Sequence, residues 1–326
     1  EVPQAEEVKV FAEKIDDFTP LASLPNLRYL RAWNMDGRNV ATAFGSLKVL
    51  ANATKLERLE LPGSVVADFD ALAALTALKT LDLAVKCDVD LAFAKGLRNL
   101  KKLTLPNDRK TAHKVSNFDA LAGLPALRNI GLYGSQVKDF SPLASCPNLD
   151  RVYYYAVKTT PEGYASLGTL KQVKKFHGGL TKMTSLEWLR QVPQAEELKV
   201  FAEKFADLTP IQALPNLTYL RCWNMKGDNL STPLGDLAFL AHNTKLRTLE
   251  LPGCRFTNTA VLAGLPALEK VDLSGAKEPV DVAFAAKLPK LRLLNLRDCQ
   301  VVNGAVLGTL PKTVRVTTSK KTTGLQ

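Results

Sequence analysis

The stretch NLRYLRAWNMDG (Asn26–Gly37) returns near the middle of the chain as NLTYLRCWNMKG (Asn216–Gly227). Each copy contains the phrase LxxLxL, beginning at Leu27 and at Leu217. Its second and third apolar positions are two residues apart, so on an extended strand they point to one side. The residues between them point to the other. A strand of this kind buries one edge and offers the opposite one.

The phrase recurs along the chain. It reads LERLEL from Leu56, LKTLDL from Leu78, LKKLTL from Leu100, LRNIGL from Leu127 and LDRVYY from Leu149. It reads LRTLEL from Leu246, LEKVDL from Leu268 and LRLLNL from Leu291. Weaker members begin at Ala5, Val173, Ala195 and Thr313, which makes about fourteen units. One unit cannot bury its own apolar edge, so neighbours must stack. Steps between units are mostly about 22 residues, with longer ones near 27–29, within the leucine-rich repeat range.

The remainder of the short units reads VVADFDALAALTAL, QVKDFSPLASCPNL or FADLTPIQALPNL. This grammar resembles the internalin-like class of bacterial leucine-rich repeats. The resemblance implies an α/β fold: a right-handed solenoid, or horseshoe, with one long parallel concave sheet of about fourteen strands. Its convex side would hold turns and short helices. It also implies a bacterial source and a lean towards a secreted or cell-surface location. Two longer units, NVATAFGSLKVL and NLSTPLGDLAFL, space Phe44, Leu47 and Leu50, and Leu234, Leu237 and Leu240, in a way that predicts true helices. The place after the strand, where the family carries Asn or Cys, holds Ser64, Ser135, Cys254 and Cys299, with Met35 and Met225 in the Trp-bearing units. Hydroxyls, thiols or water are expected to satisfy the backbone there.

Between Val2–Gly37 and Val192–Gly227, 26 of 36 residues are identical. The repeated phrase is therefore part of a block duplication. The expected organisation is a single solenoid over 1–317, built from blocks 1–190 and 191–317, followed by a basic, disordered tail over 318–326. The first strand lacks the preceding segment that its copy has. Its edge is expected to need a cap, upstream sequence or self-association.

Hydrophobic residues make up 46% of the 326 and charged residues 23%, a folded composition. No apolar run reaches membrane-span length, and Glu1 opens with no signal-peptide pattern. The formal charge of +11 is spread along the chain. Five cysteines occur without CxxC or metal-ligand spacing, so they are expected to be structural thiols, with no metal or cofactor.

Function is expected on the outward row of the strands. Tyr29, Arg31 and Trp33 occupy it in the second strand, and Tyr219, Arg221 and Trp223 in its copy. Tyr133, then Arg151, Tyr153 and Tyr155, then His177 and Phe201 occupy it between them. Adjacent strands lie about 4.8 Å apart, so these rings are expected to form one belt. Tyr, Trp and Arg dominate binding hot spots, whereas cross-strand stacking alone would make the belt structural. Glu60, Asp82, Glu197, Glu250 and Asp272 interrupt the positive charge on this row, which disfavours nucleic acid. The three histidines, His113, His177 and His242, sit in no catalytic motif, and an enzyme is not expected. The reading favours a protein partner on the concave face, with a glycan as the alternative.

Overall fold

The computed structural model describes residues 4–11, 15, 17–33, 42–107, 111–179, 182–201, 205, 207–223 and 232–326. Met35 and Met225 lie outside the described residues. The chain divides into two compact units: residues 1–173 with 180–182, and residues 174–179 with 183–326.

The LxxLxL strands form a fourteen-stranded parallel sheet, seven strands in each unit. In the first unit the order is Glu7–Phe11, Tyr29–Trp33, Arg58–Glu60, Thr80–Asp82, Lys102–Asn107, Asn129–Tyr133 and Arg151–Tyr155. In the second it is Lys175–Gly179, Glu197–Val200, Tyr219–Cys222, Thr248–Glu250, Lys270–Asp272, Leu293–Asn295 and Arg315–Thr317.

Register is set by the middle apolar residue of each phrase. Leu30 pairs with Leu59, Leu59 with Leu81, Leu81 with Leu103, Leu103 with Ile130, and Ile130 with Val152. All six are 0% exposed. Each contributes about 1.5–3 kcal/mol by leaving water. A slip of one residue would exchange this row for the polar one, so the apolar ladder holds the strands in place.

The return path of most repeats is a short 3-10 helix, such as Asp70–Ala74, Ser141–Ser145 or Ala283–Lys287, while Pro161–Ala165 is a short α-helix. An aspartate two residues ahead commonly opens the 3-10 helix. Asp139 Oδ1 accepts from the Ser141 backbone N–H at 2.8 Å, and Asp281 Oδ1 from that of Ala283 at 2.9 Å. This Asx turn is the physical content of the recurrent Asp in the repeat grammar.

The true helices expected over the two long units are not found. Thr42–Ser46 and Thr232–Asp236 are extended and pair with Ser64–Asp68 and Cys254–Thr257. Only Leu47–Leu50 and Leu237–Leu240 wind, and as 3-10 turns. Two causes are visible in the residues. Phe44, Leu47 and Leu50 recur every three residues, the 3-10 period, whereas an α-helix has 3.6. Gly45 and Gly235 hold φ of 71° and 65°, in the left-handed region that interrupts a right-handed helix.

Ser135, Cys254 and Cys299 do stand in for the ladder asparagine, whereas the buried Ser64 Oγ has no hydrogen-bond partner among the described residues. Cys299 Sγ reaches the Leu273 carbonyl at 3.1 Å, and Ser135 Oγ donates to the Pro106 carbonyl at 3.2 Å. All five cysteines are free, and four of them are buried. The tail over 318–326, expected to be disordered, is tied to the last repeats instead. Thr323 bridges Gln300, and Ser319 Oγ donates to Asp298 Oδ1 at 2.6 Å. The physical reason is that Thr322 and Ser319 supply the hydroxyls that satisfy the final turn, including the Leu296 carbonyl at 3.0 Å. Among the described residues no helix is long and apolar enough to cross a membrane.

Candidate functional site

Alternation along the strands divides the side chains as the sequence pattern implies. In Arg151–Tyr155, Val152 and Tyr154 are 0% and 1% exposed, while Arg151, Tyr153 and Tyr155 are half-buried on the other side. In Tyr29–Trp33, Leu30 and Ala32 are interior, and Tyr29, Arg31 and Trp33 are half-buried. Tyr219, Arg221 and Trp223 repeat that arrangement around Leu220 and Cys222. Phe201 is half-buried as well.

The first unit carries a cleft of about 590 Å³. Its lining includes Asp82, Lys102, Thr104, Asn129, Gly131, Tyr133, Arg151 and Tyr153. The position two residues before Tyr133 is an outward one, and there Gly131 carries no side chain. The Tyr133 ring folds back across the space: a Cβ at Gly131 would lie 2.5 Å from a carbon of that ring. Tyr133 also stacks on Tyr153, with centroids 6.0 Å apart, and on Tyr155, at 5.9 Å with planes 4° apart. Burial pushes the Tyr133 hydroxyl well above its ordinary pKa, reinforced by Tyr153, Tyr155 and Asp82. It is a neutral donor at any physiological pH.

The polar side of the cleft is mixed. Arg151 Nη1 donates to the Tyr153 hydroxyl at 3.0 Å. Asp82 accepts from the Ala84 backbone N–H at 3.0 Å, and burial raises its carboxyl above the usual carboxylate value while Lys102 and Arg31 pull it down. Aromatic walls with a few convergent polar groups, in a volume of several hundred Å³, suit recognition of a side chain or small group.

A second arrangement occurs twice. In the first unit Phe11 meets Trp33 edge-on at 5.8 Å, and the Arg31 guanidinium lies over the Trp33 ring at 4.9 Å. Glu60, 8% exposed, receives the Tyr29 hydroxyl at 3.1 Å and Arg58 Nε at 2.7 Å, with Arg31 Nε at 3.5 Å. In the second unit Phe201 meets Trp223 edge-on at 6.4 Å and Arg221 lies over Trp223 at 5.2 Å. Glu250, 7% exposed, receives the Tyr219 hydroxyl at 2.8 Å and Lys270 Nζ at 2.6 Å, with Arg221 Nη1 at 3.4 Å. Burial opposes ionisation of Glu250, but Lys270, Tyr219 and Arg221 outweigh it and hold the carboxyl below its usual value. Burial, then Glu250, pushes the Tyr219 hydroxyl well up.

His177 does not belong to an accessible surface. It is 3% exposed, and its Nε2 sits 3.2 Å from Glu197 Oε2. Glu197 is held below its usual value, with burial opposing and Lys175 and His177 prevailing. The contacts described bring together Tyr133, Arg151, Tyr153 and Tyr155 in the first unit, and Phe201, Tyr219, Arg221 and Trp223 in the second. Tyr29, Arg31 and Trp33 form the first unit's other group. Sequence reading passed over Gly131 and Thr104. The glycine inside a strand was the available clue, because it marks a place where something approaches the backbone closely. Among the described residues no group of three His, Cys, Asp or Glu side chains is placed to hold a metal ion.

No protein-family model matches the chain, and no curated protein matches it. Solved structures do. An internalin of Listeria monocytogenes is similar at 20% identity, over 95% of this chain and 86% of that one, with a TM-score of 0.69. A leucine-rich repeat protein of Leptospira interrogans is similar at 12% identity, over 97% and 96%, with a TM-score of 0.56. A plant peptide hormone receptor, solved in complex with RGF2, is similar at 15% identity, over 92% and 53%, with a TM-score of 0.52. Repeat phrase, strand order and these likenesses agree that the chain is a leucine-rich repeat protein by fold, structurally similar to Listeria internalins and to other leucine-rich repeat proteins.

Proposed function

We propose that the chain is a non-enzymatic binding scaffold whose strand face takes a protein partner, with the Tyr133–Tyr153–Arg151 cleft as the principal site in the first unit. The observation that carries this reading is the cleft itself, a concavity lined by the stacked Tyr133 and Tyr153 and edged by Arg151, Lys102 and Asp82. Tyrosine and arginine supply much of the energy at protein interfaces when partner binding excludes water from the pocket they line. The peptide complex of the plant receptor supports the class of ligand, since the two chains share the fold.

A carbohydrate partner is the second reading. It draws on the 4° angle between the Tyr133 and Tyr155 planes beside Asp82 and Asn129, a flat aromatic platform with polar neighbours.

Selection of a displayed peptide library on the immobilised chain, in parallel with a glycan array, separates the two. The protein reading expects selected peptides that lose at least tenfold in affinity on Tyr153→Ala. Glycan hits that are lost with Tyr153→Ala, with no peptide enrichment, would replace it by the carbohydrate reading.

A further inference from the structure

The two copies of the duplicated block have not diverged evenly. Buried positions differ in size and shape: Phe18 against Leu208, Leu21 against Ile211, Ala32 against Cys222. The outward row of the same strands does not differ. Lys9, Phe11, Tyr29, Arg31 and Trp33 are matched by Lys199, Phe201, Tyr219, Arg221 and Trp223. Cores are ordinarily the more constrained part of a fold, because a change of a single methylene is felt there. Here three interior positions differ while these five outward ones do not.

The buried glutamate sharpens the point. In the first unit its cation comes from its own strand, as Arg58. In the second that position is Thr248, and the cation comes from the next strand as Lys270, where the first unit has Thr80. The cation has moved, yet Glu60 and Glu250 are each ion-paired and each still receive the tyrosine hydroxyl. A copy too recent to have changed would not show such an exchange. What has been kept is the arrangement: an arginine spread on a tryptophan and steadied from behind by a neutralised carboxylate.

That arrangement points outward with positive charge. The side chains of Arg31 and Arg58 are 42% and 50% exposed while that of Glu60 is 11% exposed; the side chains of Arg221 and Lys270 are 40% and 42% exposed while that of Glu250 is 9% exposed. Phe11, 38% exposed, extends the apolar side of the first copy. We infer that each unit carries one copy of the same docking surface, and that each takes an extended protein segment bearing an acidic residue beside an aromatic one. The carboxylate meets the guanidinium and the ring meets the Trp–Phe pair. The partner thus presents this determinant twice, or two partner molecules bind. This inference rests on the reading of the strand face as a protein-binding surface, and uses residues outside the Gly131 cleft.

The three tryptophans make the test direct. Trp33 and Trp223 sit one in each copy, and Trp188 is 3% exposed. A synthetic blocked peptide alternating aspartate with phenylalanine is titrated against Trp223→Phe, in which Trp33 reports, and against Trp33→Phe, in which Trp223 reports. Both should give saturable fluorescence changes with dissociation constants within about threefold of each other, and calorimetry on the unmodified chain should give two equivalents. Arg31→Ala should weaken the Trp33 response at least tenfold and leave that of Trp223 within twofold; Arg221→Ala should do the converse. Circular dichroism and the Arg31→Lys variant, which keeps the charge on the fold, distinguish a lost contact from a lost structure. One equivalent, a response from a single tryptophan, or no saturable response from either would overturn the inference. Tyr153→Ala should leave both reporters unchanged. If Tyr153→Ala proves harmless to peptides selected on the cleft, that reading alone fails; if both reporters stay silent while Tyr153→Ala still weakens those peptides, the two-surface inference alone fails.

Discussion

Replacing Gly131 by alanine adds one methyl group where the Tyr133 ring now lies. The new Cβ would stand 2.5 Å from the nearest ring carbon and 3.4 Å from the next two. Ordinary contact begins near 3.4 Å, so the ring must retreat by about 0.9 Å or swing away. Backbone conformation is no obstacle, since Gly131 is not among the residues with positive φ. The cost to folding is therefore the weakening of two ring stacks, each about 0.5–1.5 kcal/mol. Alanine recovers about 0.4–1 kcal/mol by restricting the unfolded chain. The net destabilisation should be below about 3 kcal/mol. Binding should suffer more, because the displaced ring is a wall of the cleft and the methyl group occupies its floor. A loss of about 1.4–2.8 kcal/mol, or tenfold to a hundredfold in affinity, is expected. Urea denaturation and titration with a library-selected peptide measure the two quantities separately. Affinity within twofold of the parent, with Tyr133 shown displaced, would refute the reasoning; so would a destabilisation of 4 kcal/mol or more, which would require the backbone to have moved.

Other outcomes follow from buried polar groups. Glu250→Gln should cost about 1–2 kcal/mol at neutral pH, because a charge-assisted hydrogen bond is lost while Lys270 remains able to reach water. Glu250 has a depressed folded value, so its contribution is full above the unfolded carboxylate value of about 4.3 and fades as pH falls through the folded one. The stability gap between the parent and Glu250→Gln should be flat above about pH 5 and should close below about pH 4, as read by denaturation at each pH. Asn243, 0% exposed, donates to the Ile211 and Leu214 carbonyls at 3.2 and 3.0 Å, whereas its counterpart in the first block is Ala53. Asn243→Ala should lose about 1–3 kcal/mol, measured by urea midpoint. A thiol reagent should modify at most Cys87 in the folded chain and all five cysteines in denaturant, because burial shields the other four and raises the Cys146, Cys222 and Cys299 thiols.

The fold was legible because its determinants are local and periodic. Two apolar residues two apart, repeated at a near-constant step, require a stacked parallel ribbon, and the burial of Val152 and Tyr154 between Arg151, Tyr153 and Tyr155 is that rule in three dimensions. The threefold spacing at Phe44, Leu47 and Leu50 was legible too, but it specifies a 3-10 return and not an α-helix. The site was only half legible. Which residues face outward follows from alternation, whereas depth does not. His177 occupies an outward position and is nonetheless buried. Gly131 drew no attention as a residue without a side chain, yet the place of the Tyr133 ring depends on that absence. The charge clusters show the same limit. Glu60 and Glu250 are matched in sequence, but the cations on them come from non-equivalent positions, a fact that only coordinates reveal.

The central claim is that rings on the outward row of the strands bind a macromolecule. The most direct measurement is the affinity of a library-selected peptide for the parent chain and for Tyr153→Ala, taken with the unfolding midpoint of each. The account predicts a loss of at least tenfold in affinity with a stability changed by less than about 3 kcal/mol, the worth of one ring stack and one hydrogen bond. Unchanged affinity accompanied by a clear fall in stability would contradict it, and would make the tyrosines part of the scaffold alone.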